Sequence, residues 1–235
     1  MSIAIIGWGS LVWDPGSLKD HLENNAKFEQ GGPELPIEFS RVSDDGRLTL
    51  VIDEDHGRKV TTFVATSSRS ELLDARDDLM HREKTTERYI GFTDRSGKQT
   101  SFGKYPDHRF AHGLIMPWLQ KSGFDAVLWT ALPPKFDNFS VEKAISYLEN
   151  LPEASRKLAF EYIQKAPKEV ETPVRKLFNE RLEGKRAEVT TSEKTETQSV
   201  PGAGTQARPG TEPALPAPAT SETLTNSIPN HIDRS

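Results

Sequence analysis

No aromatic residue follows Phe178 in this chain of 235 residues. From Lys185 onward the sequence is mostly Thr, Ser, Glu, Ala, Gly and Pro, with runs such as Pro-Ala-Leu-Pro-Ala-Pro-Ala from residue 213. Ordering a backbone costs about 1–2 kcal/mol per residue. A segment with so few large apolar groups cannot offset that cost, so residues 185–235 are expected to form a disordered Pro/Thr/Ser/Glu-rich tail. Folding is thereby confined to residues 1–184, which is long enough for one domain with a substantial core. No internal repeat is visible.

The chain contains no cysteine. That excludes disulfides, a thiolate nucleophile, a Cys-based zinc site and an iron–sulfur cluster, and it suits a reducing, cytoplasmic setting. Covalent chemistry must then come from Ser, Lys, His or a carboxylate. Thirty basic and 35 acidic residues give a net charge of −5, so no global field draws the chain to phosphate backbones or anionic lipid, and no nucleic-acid or membrane partner is expected. The first residues, Met-Ser-Ile-Ala-Ile-Ile-Gly, have no basic flank and too short an apolar run for a signal peptide.

The first half reads as strands. Ser2 to Ile6 is an apolar run ending at Gly7. Pro36 to Val42, Arg47 to Asp53 and Lys59 to Thr66 are β-rich and separated by Asp44-Asp45-Gly46 and Asp55-His56-Gly57, the chemistry of hairpin turns. Weaker strands span Arg88 to Thr93 and Gln99 to Phe102, and Ala126 to Leu132 is closed by Pro133-Pro134. Ser68-Arg69-Ser70-Glu71 has capping-box spacing before a helix over 69–82. Further helices follow Ser140, then run through Leu158, Ala159, Tyr162 and Ile163, then follow Thr172-Pro173, an N-cap with proline at the first helical position. Strands followed by helices indicate an α+β fold with a mainly antiparallel or mixed sheet.

Two segments carry chemistry. Gly7-Trp8-Gly9-Ser10-Leu11-Val12-Trp13 follows the first strand. Its glycines permit a sharp turn that exposes successive N–H groups, with the Ser10 hydroxyl as a further donor; the alternative is a plain strand-ending turn with two packed tryptophans. Val12 stands where a dinucleotide fingerprint needs its third glycine, and Trp8 and Val12 occupy the glycine positions of a serine elbow. The second segment, Arg82-Glu83-Lys84-Thr85-Thr86-Glu87-Arg88-Tyr89, runs from a helix end into a strand; standing alone it also reads as a solvated charged connection. His108 and His112 are four apart, but no Glu follows His108 as in a metalloprotease helix, and no metal site is expected.

Together the two segments resemble the γ-glutamylcyclotransferase-like superfamily, closest to its glutathione-degrading ChaC-type branch. Trp8-Gly9-Ser10-Leu11-Val12-Trp13 is similar to that family's Tyr-Gly-Ser-Leu-Ile-Trp loop, and Leu48-Thr49-Leu50-Val51 to its Val-Thr-Leu-Val-like run. Leu79-Met80-His81-Arg82-Glu83, with Tyr89 beyond, is similar to its Leu-x-x-Arg-Glu helix end. Order and spacing agree across roughly residues 3 to 92. Trp8 replaces the family's tyrosine, and Thr85 to Arg88 replace a short Gly-Gly link, which leaves Glu87 as a rival to Glu83. Glu83 is preferred because the preceding Arg and the leucine three residues before that Arg fit the pattern.

The resemblance implies a small, closed or nearly closed mixed β-barrel flanked by helices. It also implies an enzyme that cyclises a γ-glutamyl amine or peptide to 5-oxoproline and releases the amine, with no cofactor or metal. Glu83 would be the catalytic acid and base. Residues 8 to 13 would bind substrate, and Tyr89 is a possible further wall. Two other readings remain open: a binding or interaction module on the same fold that has lost turnover, and an amide-processing enzyme with another substrate.

Overall fold

In the computed structural model, which describes residues 1–24, 27–103 and 108–183, the chain is an α+β fold built on one seven-stranded mixed sheet. The strands are β1 (Ile3–Gly7), β2 (Glu29–Val42), β3 (Leu48–Ile52), β4 (Arg58–Ser67), β5 (Ile90–Asp94), β6 (Thr100–Ser101) and β7 (Ala126–Thr130). The helices are α1 (Ser10–Trp13), α2 (Leu72–Arg82), α3 (His108–Lys121), α4 (Val141–Asn150), α5 (Glu153–Lys165) and α6 over 173–183. Strand order is β3-β2-β4-β1-β7-β5-β6, with only β1 and β7 parallel. The expected tail, 185–235, lies outside the described residues. No helix among the described residues is long and apolar enough to cross a membrane.

β1 is buried along its whole length between β4 and β7, which is why Ile3, Ala4, Ile5 and Ile6 form an uninterrupted apolar run. The register then decides what meets at its end. Ile5 pairs with Leu128 in the parallel ladder, and Ile90 pairs with Thr130 in the antiparallel one. The C-terminal ends of β1 and β7 and the N-terminal end of β5 therefore share one edge of the sheet. α2 begins after β4, whose Ser67 lies opposite Ile3 at the other end of β1, and must run back to deliver the chain to β5. Its 11 residues span about 16 Å at about 1.5 Å per residue, roughly the length of a five-residue strand. Sequence distance of about 70 residues between Ser10 and Glu83 thus collapses to one sheet edge.

The barrel expected from the resemblance is not formed: the ladders leave an open sheet with β3 and β6 at its edges. The far end of β2 does approach the segment after β7, through a single bridge between Arg41 and Lys135. There the Val42 N–H donates to the Lys135 carbonyl (3.1 Å) and the Lys135 N–H to the Ser40 carbonyl (3.0 Å). Pro133 and Pro134 carry no N–H, so this pairing cannot extend into a ladder.

Other boundaries differ in instructive ways. β2 begins at Glu29, passing Gly31-Gly32-Pro33 with a shift of register against β4. α2 begins at Leu72 with Glu71 at its N-cap and no side-chain cap, so the Ser68–Glu71 capping box is not made. α3 was not expected; it carries His108 and His112, and the His112 ring packs edge-on against Phe102 (4.8 Å). Leu158, read as a core position of α5, is 48% exposed.

Two caps are formed as their sequences predict. Ser140 Oγ accepts from the Lys143 N–H (3.2 Å) at α4, and Thr172 Oγ1 accepts from the Arg175 N–H (3.3 Å) at α6. Buried Glu38 on β2 also accepts from the Val174 N–H (3.3 Å), which ties α6 to the sheet. Thr172→Ala should therefore lower the unfolding free energy by about 1 kcal/mol, measured by urea denaturation.

Candidate functional site

A cavity of about 430 Å³ opens at the shared sheet edge. Its walls include Trp8, Gly9, Ser10 and Leu11 from the loop after β1, Glu83, Lys84 and Tyr89 from the segment after α2, and Thr130 at the end of β7. The two segments singled out in the sequence thus line one space.

The loop is short and tightly held. After Gly9 the chain takes a single helical turn, with the Val12 N–H donating to the Gly9 carbonyl (2.9 Å) and the Asp14 N–H to the Ser10 carbonyl (2.8 Å). Trp8 is buried, and its indole N–H donates to the Leu50 carbonyl on β3 (3.4 Å). Gly9 has no side chain for a steric reason: a Cβ there would sit 2.8 Å from the Tyr162 hydroxyl. The helical turn rotates Val12 and Trp13 out of the cavity walls. Both pack against the core instead, and Trp13 meets the Tyr162 ring edge-on (5.2 Å).

Glu83 is the residue that ends α2, and its carboxylate is largely buried. Its Oε1 accepts from Arg82 Nη1 at 2.7 Å. Arg82 Nη2 reaches across to the loop, donating to Ser10 Oγ (3.1 Å) and to the Asp14 carbonyl (2.5 Å). One guanidinium therefore joins the carboxylate to the glycine–serine loop. Burial raises the proton affinity of Glu83 above the ordinary carboxylate range, and the charge and hydrogen bond of Arg82 oppose that rise. Ser10 Oγ, already an acceptor for Arg82, keeps its own O–H to donate.

Glu87, the rival carboxylate, opens the 3-10 turn Glu87–Tyr89 and does not line the cavity. Its side chain is 76% exposed and lies 3.8 Å from Arg76. Tyr89 does line the cavity, as expected of a wall.

Sequence reasoning missed three contributors. Tyr162 reads as an apolar-face residue of α5, yet its buried phenol faces the Ser10 and Leu50 N–H groups and lines the cavity. Burial pushes that phenol up, so it stays an O–H at neutral pH. Arg41 and Arg47, at the facing ends of β2 and its hairpin partner, also line the cavity. Only their position on each side of the Asp44-Asp45-Gly46 turn hinted that they would lie together.

Lys84 follows with a backbone φ of 50°, in the left-handed region. Its N–H donates to the His81 carbonyl (3.2 Å) and the Thr85 N–H to the Met80 carbonyl (3.2 Å), bonds that satisfy the end of α2. Glycine is the residue that takes this conformation without strain.

Comparison with protein-family models, with curated proteins and with solved structures gives no match.

The raised proton affinity of Glu83 has a thermodynamic consequence. Above the ordinary value of 4.5 the folded chain holds a proton that the unfolded chain has lost, so this group's contribution to stability falls as pH rises through the folded-state value. Buried Glu38 acts in the same direction. Glu83→Gln removes one of the two contributions. In urea denaturation the variant should gain on the wild type as pH is raised from about 4.5 to 7; a constant gap would show that Glu83 titrates normally, and a gap that widens the other way would show that its proton affinity is lowered.

Proposed function

We propose that this chain is a γ-glutamylcyclotransferase-like enzyme, cyclising a γ-glutamyl amine or peptide to 5-oxoproline. The observation that carries the reading is a buried Glu83, whose proton affinity burial raises, lining the same cavity as the Gly9–Leu11 loop. The ordered Trp8–Trp13 and Leu79–Glu83 motifs support it.

In this reading the substrate's α-amine attacks its own γ-carbonyl carbon. A five-membered ring C–N bond forms, the amide C–N bond breaks, and the released nitrogen leaves as an amine. The attacking ammonium must first lose a proton. Glu83 Oε2 takes it, since Oε1 is held by Arg82, and returns it to the leaving nitrogen; the second proton, shed by the ring nitrogen as it becomes the lactam N–H, passes to the released amine, which departs as an ammonium. A carboxylate whose proton affinity burial raises is a stronger base than an ordinary one.

The carbonyl oxygen gains negative charge as the amine attacks. In this reading it is met by the Ser10 O–H, which the Arg82 contact leaves free to donate, and by the Leu11 N–H of the first turn of α1. The Ser10 N–H is turned instead toward the Tyr162 phenol. Because both reacting groups belong to one molecule, the main task of the pocket is to hold the cyclising conformer.

Incubation with a panel of γ-glutamyl amines and peptides, with 5-oxoproline as the readout, tests the activity. Release by the wild type is expected. Glu83→Gln should lower kcat by about 100- to 10,000-fold while the fold persists, and Glu87→Gln should do much less. Binding without release across the panel would favour a non-catalytic module on this fold. Loss of turnover in Glu87→Gln but not in Glu83→Gln would move the acid–base role to Glu87.

A further inference from the structure

α5 contributes one residue to the cavity wall, Tyr162. Its ring is held on three sides, edge-on by Trp13 (5.2 Å) and Phe39 (6.2 Å) and by the Arg47 guanidinium 5.7 Å from its centroid. A ring packed in this way keeps its hydroxyl at a defined position before any ligand arrives. The phenol oxygen lies against the loop, at the place where Gly9 lacks a Cβ.

A phenol oxygen both accepts and donates hydrogen bonds. The Ser10 and Leu50 N–H groups occupy the accepting side of this one, and no acceptor among the described residues takes its O–H. Trp8, the aromatic residue of the loop itself, has already given its indole N–H to the Leu50 carbonyl. Tyr162 is only 8% exposed, and a donor buried without an acceptor costs free energy that a ligand oxygen in the cavity would recover. The charges that act on the phenol are Glu83, from the end of α2, and Arg47, from the β2–β3 hairpin. Burial keeps the hydroxyl protonated at neutral pH, so the group is a neutral donor held beside the Ser10 backbone.

We propose that Tyr162 is a further catalytic residue, donating its O–H to the substrate's carbonyl oxygen as that oxygen gains charge. The inference rests on the cyclisation reading. The carbonyl oxygen is the one served because Tyr162 enters the cavity against Gly9 and Ser10, the loop that supplies the other donors to it. The phenol keeps its proton throughout, and only the hydrogen bond strengthens as the ring C–N bond forms. A donor fixed in place before the reaction stabilises charge that develops in the transition state without having to reorganise.

Tyr162→Phe keeps the ring and its packing but removes the donor. With a γ-glutamyl compound that the wild type turns over, kcat should fall about 100- to 1,000-fold, the usual effect of deleting one such donor, while KM changes little. That variant also strands the Ser10 and Leu50 N–H groups, so a second one separates donation from support. Replacing Tyr162 site-specifically with 3-fluorotyrosine keeps the oxygen that accepts both N–H groups and makes the phenol more acidic. Its loss of activity at high pH should begin at a lower pH than in the wild type, because an ionised phenol cannot donate. An unmoved pH profile would overturn the proposal and leave the oxygen a purely supporting role. So would a rise in KM with unchanged kcat in Tyr162→Phe, which would assign the hydroxyl to ground-state binding while leaving the cyclisation reading in place. If no γ-glutamyl compound is turned over, the cyclisation reading fails and calorimetry with 5-oxoproline decides the contact, since its lactam carbonyl carries the oxygen in question. Binding weakened about 3- to 10-fold in Tyr162→Phe, the worth of one neutral hydrogen bond, would uphold it; equal binding, or none to the wild type, would overturn it.

Discussion

A guanidinium that leaves water must find oxygen acceptors to replace it, and Arg82 finds three: the Glu83 carboxylate, the Ser10 hydroxyl and the Asp14 carbonyl. The side chains of Arg82 and Glu83 are only 12% and 14% exposed, so each depends on the other. Removing one partner of such a buried pair leaves a desolvated charge and typically costs about 3–5 kcal/mol. The same contacts that stabilise the pair fix the distance between the helix end and the loop. Structural and chemical roles are therefore joined in a single side chain, and the cavity exists in its present form because that link holds.

The sheet makes the link possible. β1 and β7 run parallel, so their ends open on the same side. The antiparallel pairing of β5 with β7 brings the chain leaving α2 to that side as well. Gly9 then allows Tyr162 of α5 to close over the loop, where any side chain would collide with the phenol. The polar cavity is bounded by elements that are themselves anchored in an apolar core, including fully buried Ile6, Leu79 and Ile90. This is how an open sheet holds polar groups to defined positions: rigid strands and a helix terminus supply the side chains, and the intervening loop is short.

Much of this was legible locally. β-rich runs between Asp-Gly and His-Gly turns marked β2, β3 and β4, an apolar run marked β1, Ser140 and Thr172 marked helix starts, and glycines after that run marked the loop. The two motif segments also proved to line one cavity. What failed depended on contacts distant in sequence. The strand expected over Pro36 to Val42 begins at Glu29, with Gly31-Gly32-Pro33 inside β2, where Gly32 approaches Thr62 more closely than a Cβ would allow. The Ser68–Glu71 capping box lost to tertiary pairing: Ser67 is held against Ile3 and Leu22, and the Ser68 N–H donates to His21. α3 escaped notice because Gly113 and Pro117 interrupt its pattern. The closed barrel failed at Pro133-Pro134, where the missing donors end the pairing. Tyr162, Arg41 and Arg47 carried no local signal, since their place at the cavity follows from strand register and helix packing alone.

Carboxyl-carbon NMR titration of Glu83, in the wild type and in Arg82→Met, addresses the Arg82 link without requiring turnover. Burial alone should raise the proton affinity of this carboxyl, and Arg82 should hold part of that rise in check. The account predicts a midpoint above 4.5 in the wild type and a higher one in the variant. An ordinary midpoint in the wild type, or one unmoved by loss of the guanidinium, would contradict it.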